Sequence, residues 1–433
     1  MKSKIFILTI SCLALIIVLF SCKKKNTVTD NNPPNTPLAP QVFVDTSEIG
    51  EKVTFTITVF DPDEDSVAAR FNWGDGDTSG WCDFLPSGDT VIGKHCYRSI
   101  GTFYVKARAK DNHEETSDWS EPDSIVIQDS AWTLVWTCAT SSAGWSRRMG
   151  HTSIVFDNNI WVLGGGNWSG SGIYNDVWYS DDGINWTCAT EAAQWSGRSG
   201  HTSVVFNDKI WVLGGHTGTG MGYRNDVWFS SDGIEWTCAI GSAPWTPRHG
   251  HTSVVFDDKI WVIGGGEDVN GRPFGDIWYS NDGSNWTCAT PMAECSTKSC
   301  HSSLVFDNKI WILGGENEGC SSNDIWYSTN GATWKKMVKH DTLIWSGRFG
   351  HTTAVLEDKI WVLGGCADDG GGNVPSNDIW YSDKGEFWNR DSSSTPWCRR
   401  EYHTSVIFQN RIWVLSGYNA PNDVWYGEIV HGE

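Results

Sequence analysis

From about residue 130 onward, apolar and polar positions alternate in short runs that never reach helical length. The runs "HTSVVF", "KIWVLGG", "DVWYS" and "INWTCAT" are rich in β-branched and aromatic residues and bounded by Gly, Asn or Asp turns, so each predicts a strand. They recur together at a period near 50 residues, anchored by His151, His201, His251, His301, His351 and His403. Of the 28 tryptophans, 23 fall in four columns of this repeat, which marks them first as packing residues between stacked sheets.

Counting strands decides the architecture. The first three strands occur six times, the last set at His403, Trp413 and Trp425. The fourth-strand tryptophan also occurs six times, at 136, 186, 236, 286, 334 and 388, yet the final copy, "NDVWYGEIVHGE", has no fourth strand of its own. The pattern therefore predicts six four-stranded blades. In the sixth, "TLVWTCAT" (Thr133 to Thr140) would place Trp136 alongside Trp425 and close the ring without an open edge. The paired glycines Gly164–Gly165, Gly214–Gly215, Gly264–Gly265, Gly314–Gly315 and Gly364–Gly365, each followed by a downstream tryptophan, resemble kelch repeats over residues 132–433. Ser416 departs from the pattern in the sixth copy. The resemblance implies a kelch-type β-propeller, the all-β fold that the strand count reaches independently. "SDDGINW" (Ser180 to Trp186) also resembles the Asp-box of sialidase-type propellers, one residue shorter, where it serves as a structural turn.

Residues 41–129 have a different texture. The alternation in "VTFTITV" and "FYVKARA" predicts half-buried antiparallel strands. "NWGDGD" (Asn72 to Asp77), "HCY" at His95 and "GTFYVKARAKD" resemble the polycystic kidney disease (PKD) domain, which implies a small immunoglobulin-like β-sandwich used as a spacer or weak binding module. Cys82 and Cys96 both fall inside it, and a disulfide between them would contribute about 3 kcal/mol. Asp61, Asp63 and Asp65 of "DPDEDS" would bind Ca2+ through clustered carboxylates or form a solvated acidic turn. No other cofactor is expected.

Ahead of this domain, Lys2 and Lys4 precede an apolar run, Ile5 to Phe20, that is short for a bilayer span and typical of an export signal. "LFSC" (Leu19 to Cys22) resembles a bacterial lipobox, which implies a signal peptide over 1–21 and a lipid on Cys22. Residues 22–40, with Lys23 to Lys25 and "NTVTDNNPPNTPLAP", read as an extended tether. The expectation is an exported lipoprotein, held by its lipid at the outer membrane or cell surface. A net charge of −20 over 433 residues argues against nucleic acid as a partner, and a monomer is expected.

A functional site must break the repeat symmetry that structural residues obey. The six histidines share one position and are expected to bond a loop and start the inner strand rather than ring a metal. Cys138, Cys188, Cys238 and Cys288 are expected as buried apolar filler. In a meander, the loop entering the first strand and the loop leaving the second lie on one face. That face gathers Arg148, Arg198, Arg248, Lys298, Arg348 and Arg400, with Trp145, Trp195, Trp245, Trp345 and Trp397, and the variable-loop residues Trp168, Tyr223, Arg224 and Phe274. Arginine beside tryptophan suits an anionic or sugar ligand; alternatively the two columns stitch and pack the blades. In blade four, "AECSTKSCHSS" puts Cys295 at the tryptophan position and Cys300 at the glycine position. Cys295, Cys300, Cys320 and Cys366 are candidates for disulfides on the same face, with a thiol metal site as the other reading. These features point to a non-enzymatic binding protein whose loop face meets a glycan or protein partner. Six-bladed kelch proteins also include sialic-acid mutarotases. For that activity Arg198, Arg248 or Arg348, with Glu267 or Glu316, would hold a carboxylated sugar and move a proton. Galactose oxidase has a larger kelch ring, but no Tyr–Cys–His arrangement that breaks the symmetry is evident here.

Overall fold

The computed structural model describes residues 31–128, 132–167, 172–218, 222–266, 272–337, 344–391 and 395–431. Most of the chain up to Ile125 forms one compact unit, and Val126–Glu433 forms the body of another. Among the described residues the only helix is the single turn Glu294–Ser296, and none is long and apolar enough to cross a membrane.

The first unit is a sandwich. One sheet orders Gln41–Val42, Lys52–Thr58 and Thr90–Cys96; the other orders Thr46–Glu48, Asp123–Gln128, Gly101–Asp111 and Val67–Asn72. The period-2 pattern turns Val53, Phe55 and Ile57 inward from one sheet and Val105, Ala107 and Ala109 from the other. Trp73 of the "NWGDGD" segment stacks between Phe71 and His95, with ring centroids 5.0 Å and 4.8 Å away. His95 in turn bonds Asp75 at 2.6 Å, so the signature residues hold one another. Cys82 and Cys96 are thiols, which corrects the expected disulfide. Cys82 exchanges bonds with Ala69 of the four-stranded sheet, whereas Cys96 ends a strand of the other. Packed sheets lie about 10 Å apart, beyond the Cα reach of a disulfide. Nor do the "DPDEDS" carboxylates converge. Asp61 Oδ1 accepts the Asp63 and Asp65 amides, Asp63 accepts from Asn32, and Asp65 lies instead with Asp111 and His113.

The second unit is the ring. Blade one is Thr152–Phe156, Asn159–Gly166, Ile173–Ser180 and Thr187–Thr190, all antiparallel. Five further blades repeat that meander, and the sixth takes Trp132–Thr140 as its outer strand. Strand one turns into strand two through Asp157–Asn158, both left-handed, with Asn207–Asp208 through Gln409–Asn410 doing the same in other copies.

The closing pair runs from Thr140 opposite Val424 to Trp132 opposite His431. Within it Trp425 faces Cys138, and Trp136 faces Gly427, two residues from the expected partner. The same register recurs in blade one, where Trp178 faces Cys188. Trp186, the counterpart of Trp136, precedes its strand because its indole N–H is tied to Gly183 O at 3.1 Å. Asp182 builds that turn by accepting the Ile184 and Asn185 amides, both at 2.8 Å. Burial pushes its carboxyl up, but these bonds win and hold it at about 2.

One apolar core fills each gap between blades. Between blades one and two it contains Trp161, Leu163, Val177, Trp195, Ile210 and Val212. Between five and six, Leu134 of the closing strand joins it. The outer-strand cysteines do not belong to these cores: Cys138 and Cys238 are exposed, and Cys188 and Cys288 half-buried. That corrects their reading as buried filler, since the fourth strand is the solvent edge of each blade.

Candidate functional site

The residue before each repeat histidine sits at the mouth of the ring. Gly150, Gly200, Gly250, Cys300, Gly350 and Tyr402 all have φ between 52° and 61°. Each amide donates to the carbonyl of the equivalent residue one blade back, at 2.8–3.1 Å, and Gly150 closes the circle on Tyr402. The result is a collar of six backbone hydrogen bonds. Just inside it, each histidine Nε2 meets a hydroxyl of the preceding blade, from Thr152 with His201 at 3.1 Å to Thr404 with His151 at 3.0 Å. The expected bond to a loop is therefore a bond between inner strands. All six imidazoles are fully enclosed. Burial first, then the charge of the basic column, lowers them, His151, His301 and His351 to about 3. The paired glycines make room for these rings: a side chain on Gly165 would lie 2.7 Å from His151 Cβ.

The basic column is a correction. Arg148, Arg198, Arg248, Arg348 and Arg400 are at most 1 % exposed. Arg148 donates through Nη1 and Nη2 to Asp176 at 2.7 Å, and through Nη1 to Gly164 O. Arg198, Arg248, Arg348 and Arg400 do the same with Asp226, Asp276, Asp378 and Asp423. Burial would raise the Asp378 carboxyl, yet the Arg348 bonds carry it well below the usual range. Lys298 stands in for arginine in blade four, 3.5 Å from Asp324. These cations are spent inside the blades and offer a ligand nothing.

The tryptophans follow them. Trp145, Trp195, Trp245 and Trp345 are buried edge-on against Trp186, Trp236, Trp286 and Trp388, with interplanar angles of 83–90°. They pack the gaps between blades. In blade four Cys295 takes this place, fully buried, and burial pushes its thiol up to about 12.

The described cysteines are all thiols, so the expected disulfides among Cys295, Cys300, Cys320 and Cys366 are also corrected. Cys295 is in the core, and Cys320 is exposed at the tip of the hairpin joining Glu316–Asn317 to Cys320–Ser321. Cys366 bonds Glu401; burial first, then that carboxylate, raises it to about 12. Cys300 bonds the Tyr402 phenol, which burial and then the thiol push far up. This pair breaks the symmetry of the collar.

A cavity of about 370 Å³ spans the collar, walled by Met149, Asn167, Ser199, His249, Cys300 and Tyr402, by the collar glycines and by the six repeat histidines. Tyr223 reaches this rim by stacking flat on His249, 4.9 Å away at 3°. Burial, then His216, lowers the His249 imidazole. Phe274 covers the buried Arg248 at 5.0 Å and lines a separate cavity of about 460 Å³ with Arg272 and Met292. Arg224 is exposed. Trp168, Glu267 and Cys22 lie outside the described residues. Sequence reasoning missed Tyr402, His249 and Met149. Tyr402 departs from the glycine found before four of the other five repeat histidines, whereas Met149 and His249 stand in a column with no consensus.

Comparison with known proteins agrees with this geometry. Residues 124–315 match the KLHDC2/KLHL20/DRC7 Kelch-repeats domain, 297–337 the Kelch motif, and 41–122 the PKD domain. A solved structure described as "Structure of YjhT" is 15% identical and superposes with a TM-score of 0.55, covering 68% of this chain and 100% of that one. No curated protein sequence matches. The chain therefore carries a PKD domain over residues 41–122 followed by kelch repeats over 124–337, the repeats folded as a six-bladed β-propeller.

Proposed function

We propose that the protein is a binding module whose propeller mouth receives an uncharged polar group, a neutral sugar ring or a polar side chain of a protein partner. The observation that carries this is the state of the groups around the 370 Å³ cavity. The Tyr402 phenol is raised by burial, and the imidazoles of His249, His151, His301 and His351, which also line the cavity, are lowered. Each is biased toward its neutral form. Such a pocket hydrogen-bonds a ligand without the desolvation cost of an unmatched charge. A sialic-acid reading built on Arg198, Arg248 or Arg348 loses its cation, because the five arginines of the repeat column are consumed by aspartates. In this reading the lipid expected on Cys22 holds the protein at a membrane surface, and the tether and PKD domain carry the mouth outward.

Tyr402→Gly restores the collar consensus and removes the largest side chain at the rim. On a combined glycan and peptide array, wild-type binding to neutral ligands should fall at least tenfold in this variant, with its melting temperature retained. Equal binding by the two proteins, or preference for sialylated glycans, refutes the proposal.

A further inference from the structure

The PKD domain presents a second surface that the propeller mouth does not explain. On the strands Val67–Asn72 and Gly101–Asp111, Arg70 lies directly opposite Arg108. Two like charges in that register destabilise a sheet unless something offsets them. Here they are interleaved with tryptophan. Arg70 sits 4.8 Å from the Trp81 ring and 5.5 Å from Trp119; Arg108 sits 4.8 Å from Trp119 and 5.6 Å from Trp81. Lys110 extends the stack over Trp81 and Phe84. Cation–π attraction between each guanidinium and the two indole faces holds the guanidinium planes in place.

What the stack leaves over is hydrogen-bonding capacity. Neither Arg70 nor Arg108 bonds or pairs with any acceptor among the described residues, and the Nε of each is buried without a partner. This contrasts with the five propeller arginines, each of which has a bidentate aspartate. Lys106 is exposed on the same strand face as Arg108 and Lys110, so the three follow at about 7 Å intervals. Glu114 neutralises only Lys110. An unneutralised cationic row is unusual on a chain of net charge −20.

We propose that this face of the PKD domain binds an acidic polysaccharide, with carboxylate or sulfate groups seated on Arg70, Arg108 and Lys106. A planar, immobilised guanidinium takes such oxyanions bidentately at little entropic cost. The linear row matches an extended polyanion. A single-stranded nucleic acid fits less well, because it needs open indole faces for its bases and guanidinium groups already cover these.

The test uses the full chain and two probes, polygalacturonate for carboxylate and dextran sulfate for sulfate, titrated calorimetrically at low and at physiological salt. Wild type should bind at least one, more weakly as salt rises. Arg70→Gln with Arg108→Gln should weaken binding at least tenfold. Lys106→Gln, which removes no contact within the protein, should weaken it about threefold with unchanged melting, so the result is readable even if the double variant does not fold. Tyr402→Gly should bind both probes as wild type does, which separates this surface from the mouth. The proposal is overturned if wild type binds neither probe, or if the PKD variants bind as well as wild type. Tighter binding to single-stranded DNA or to anionic phospholipid vesicles than to both probes would also overturn it.

Discussion

At the scale of single residues, Arg148 and its equivalents are each held by an aspartate 23 to 30 positions downstream, brought within reach by the strand register. Replacing Arg348 by Ala should therefore destabilise the fold by about 3–5 kcal/mol, because Asp378 stays part-buried without its counter-ion. Denaturant unfolding would read this directly. The collar gives the opposite sign. Cys300 holds φ at 52°, where glycine is at ease, so Cys300→Gly should raise stability by up to about 1 kcal/mol, seen as a higher melting temperature. Cys300 was readable as a departure from glycine. Tyr402 escaped notice because "CRREYHTS" differs from its column at several neighbouring positions at once.

At the scale of elements, the missing sixth outer strand could be found by counting, because six blades need equal numbers of each strand. Its offset could not. The pairing shifts register between Val424 and Trp425, and Trp136 falls opposite Gly427; a strand pattern is blind to such a bulge. The closing strand is also longer than its counterparts, spanning Trp132–Thr140 where blade one uses Thr187–Thr190. It therefore carries more of the ring than an ordinary edge. Leu134→Pro would remove a ladder donor and a side chain buried in the core between blades five and six. A loss of about 3 kcal/mol or more is expected. Unfolding should begin at this seam, detectable as early hydrogen exchange in Val424–His431.

At the scale of the whole molecule, six enclosed imidazoles titrate together. Their folded pKa values lie far below the unfolded value near 6.5, so the folded ring excludes protons that the unfolded chain takes up. The stability they contribute is complete above about pH 6.5 and is lost as pH falls from there toward about 3. Each histidine adds at most about 1.4 kcal/mol per pH unit. Melting curves from pH 7.5 to 4 should show a steep decline that begins near 6.5. His351→Gln should make that decline shallower; an unchanged slope would count against the linkage.

The collar also sets what can travel along the axis. Chains joined by backbone hydrogen bonds lie about 5 Å apart, so six of them frame a hexagon with sides of that length. Opposite corners of such a hexagon stand about 10 Å apart between atom centres, which leaves an opening for water and for slender groups only. No rotamer change can widen it, because its rim is main chain and every amide in it is already engaged. The hydroxyl-lined bore beneath, walled by Ser153, Ser203, Ser253 and Ser405, is therefore reached from the mouth through a ring of fixed width. Whatever enters the axis from the mouth must be slender enough for that ring, such as a chain end or a branch tip.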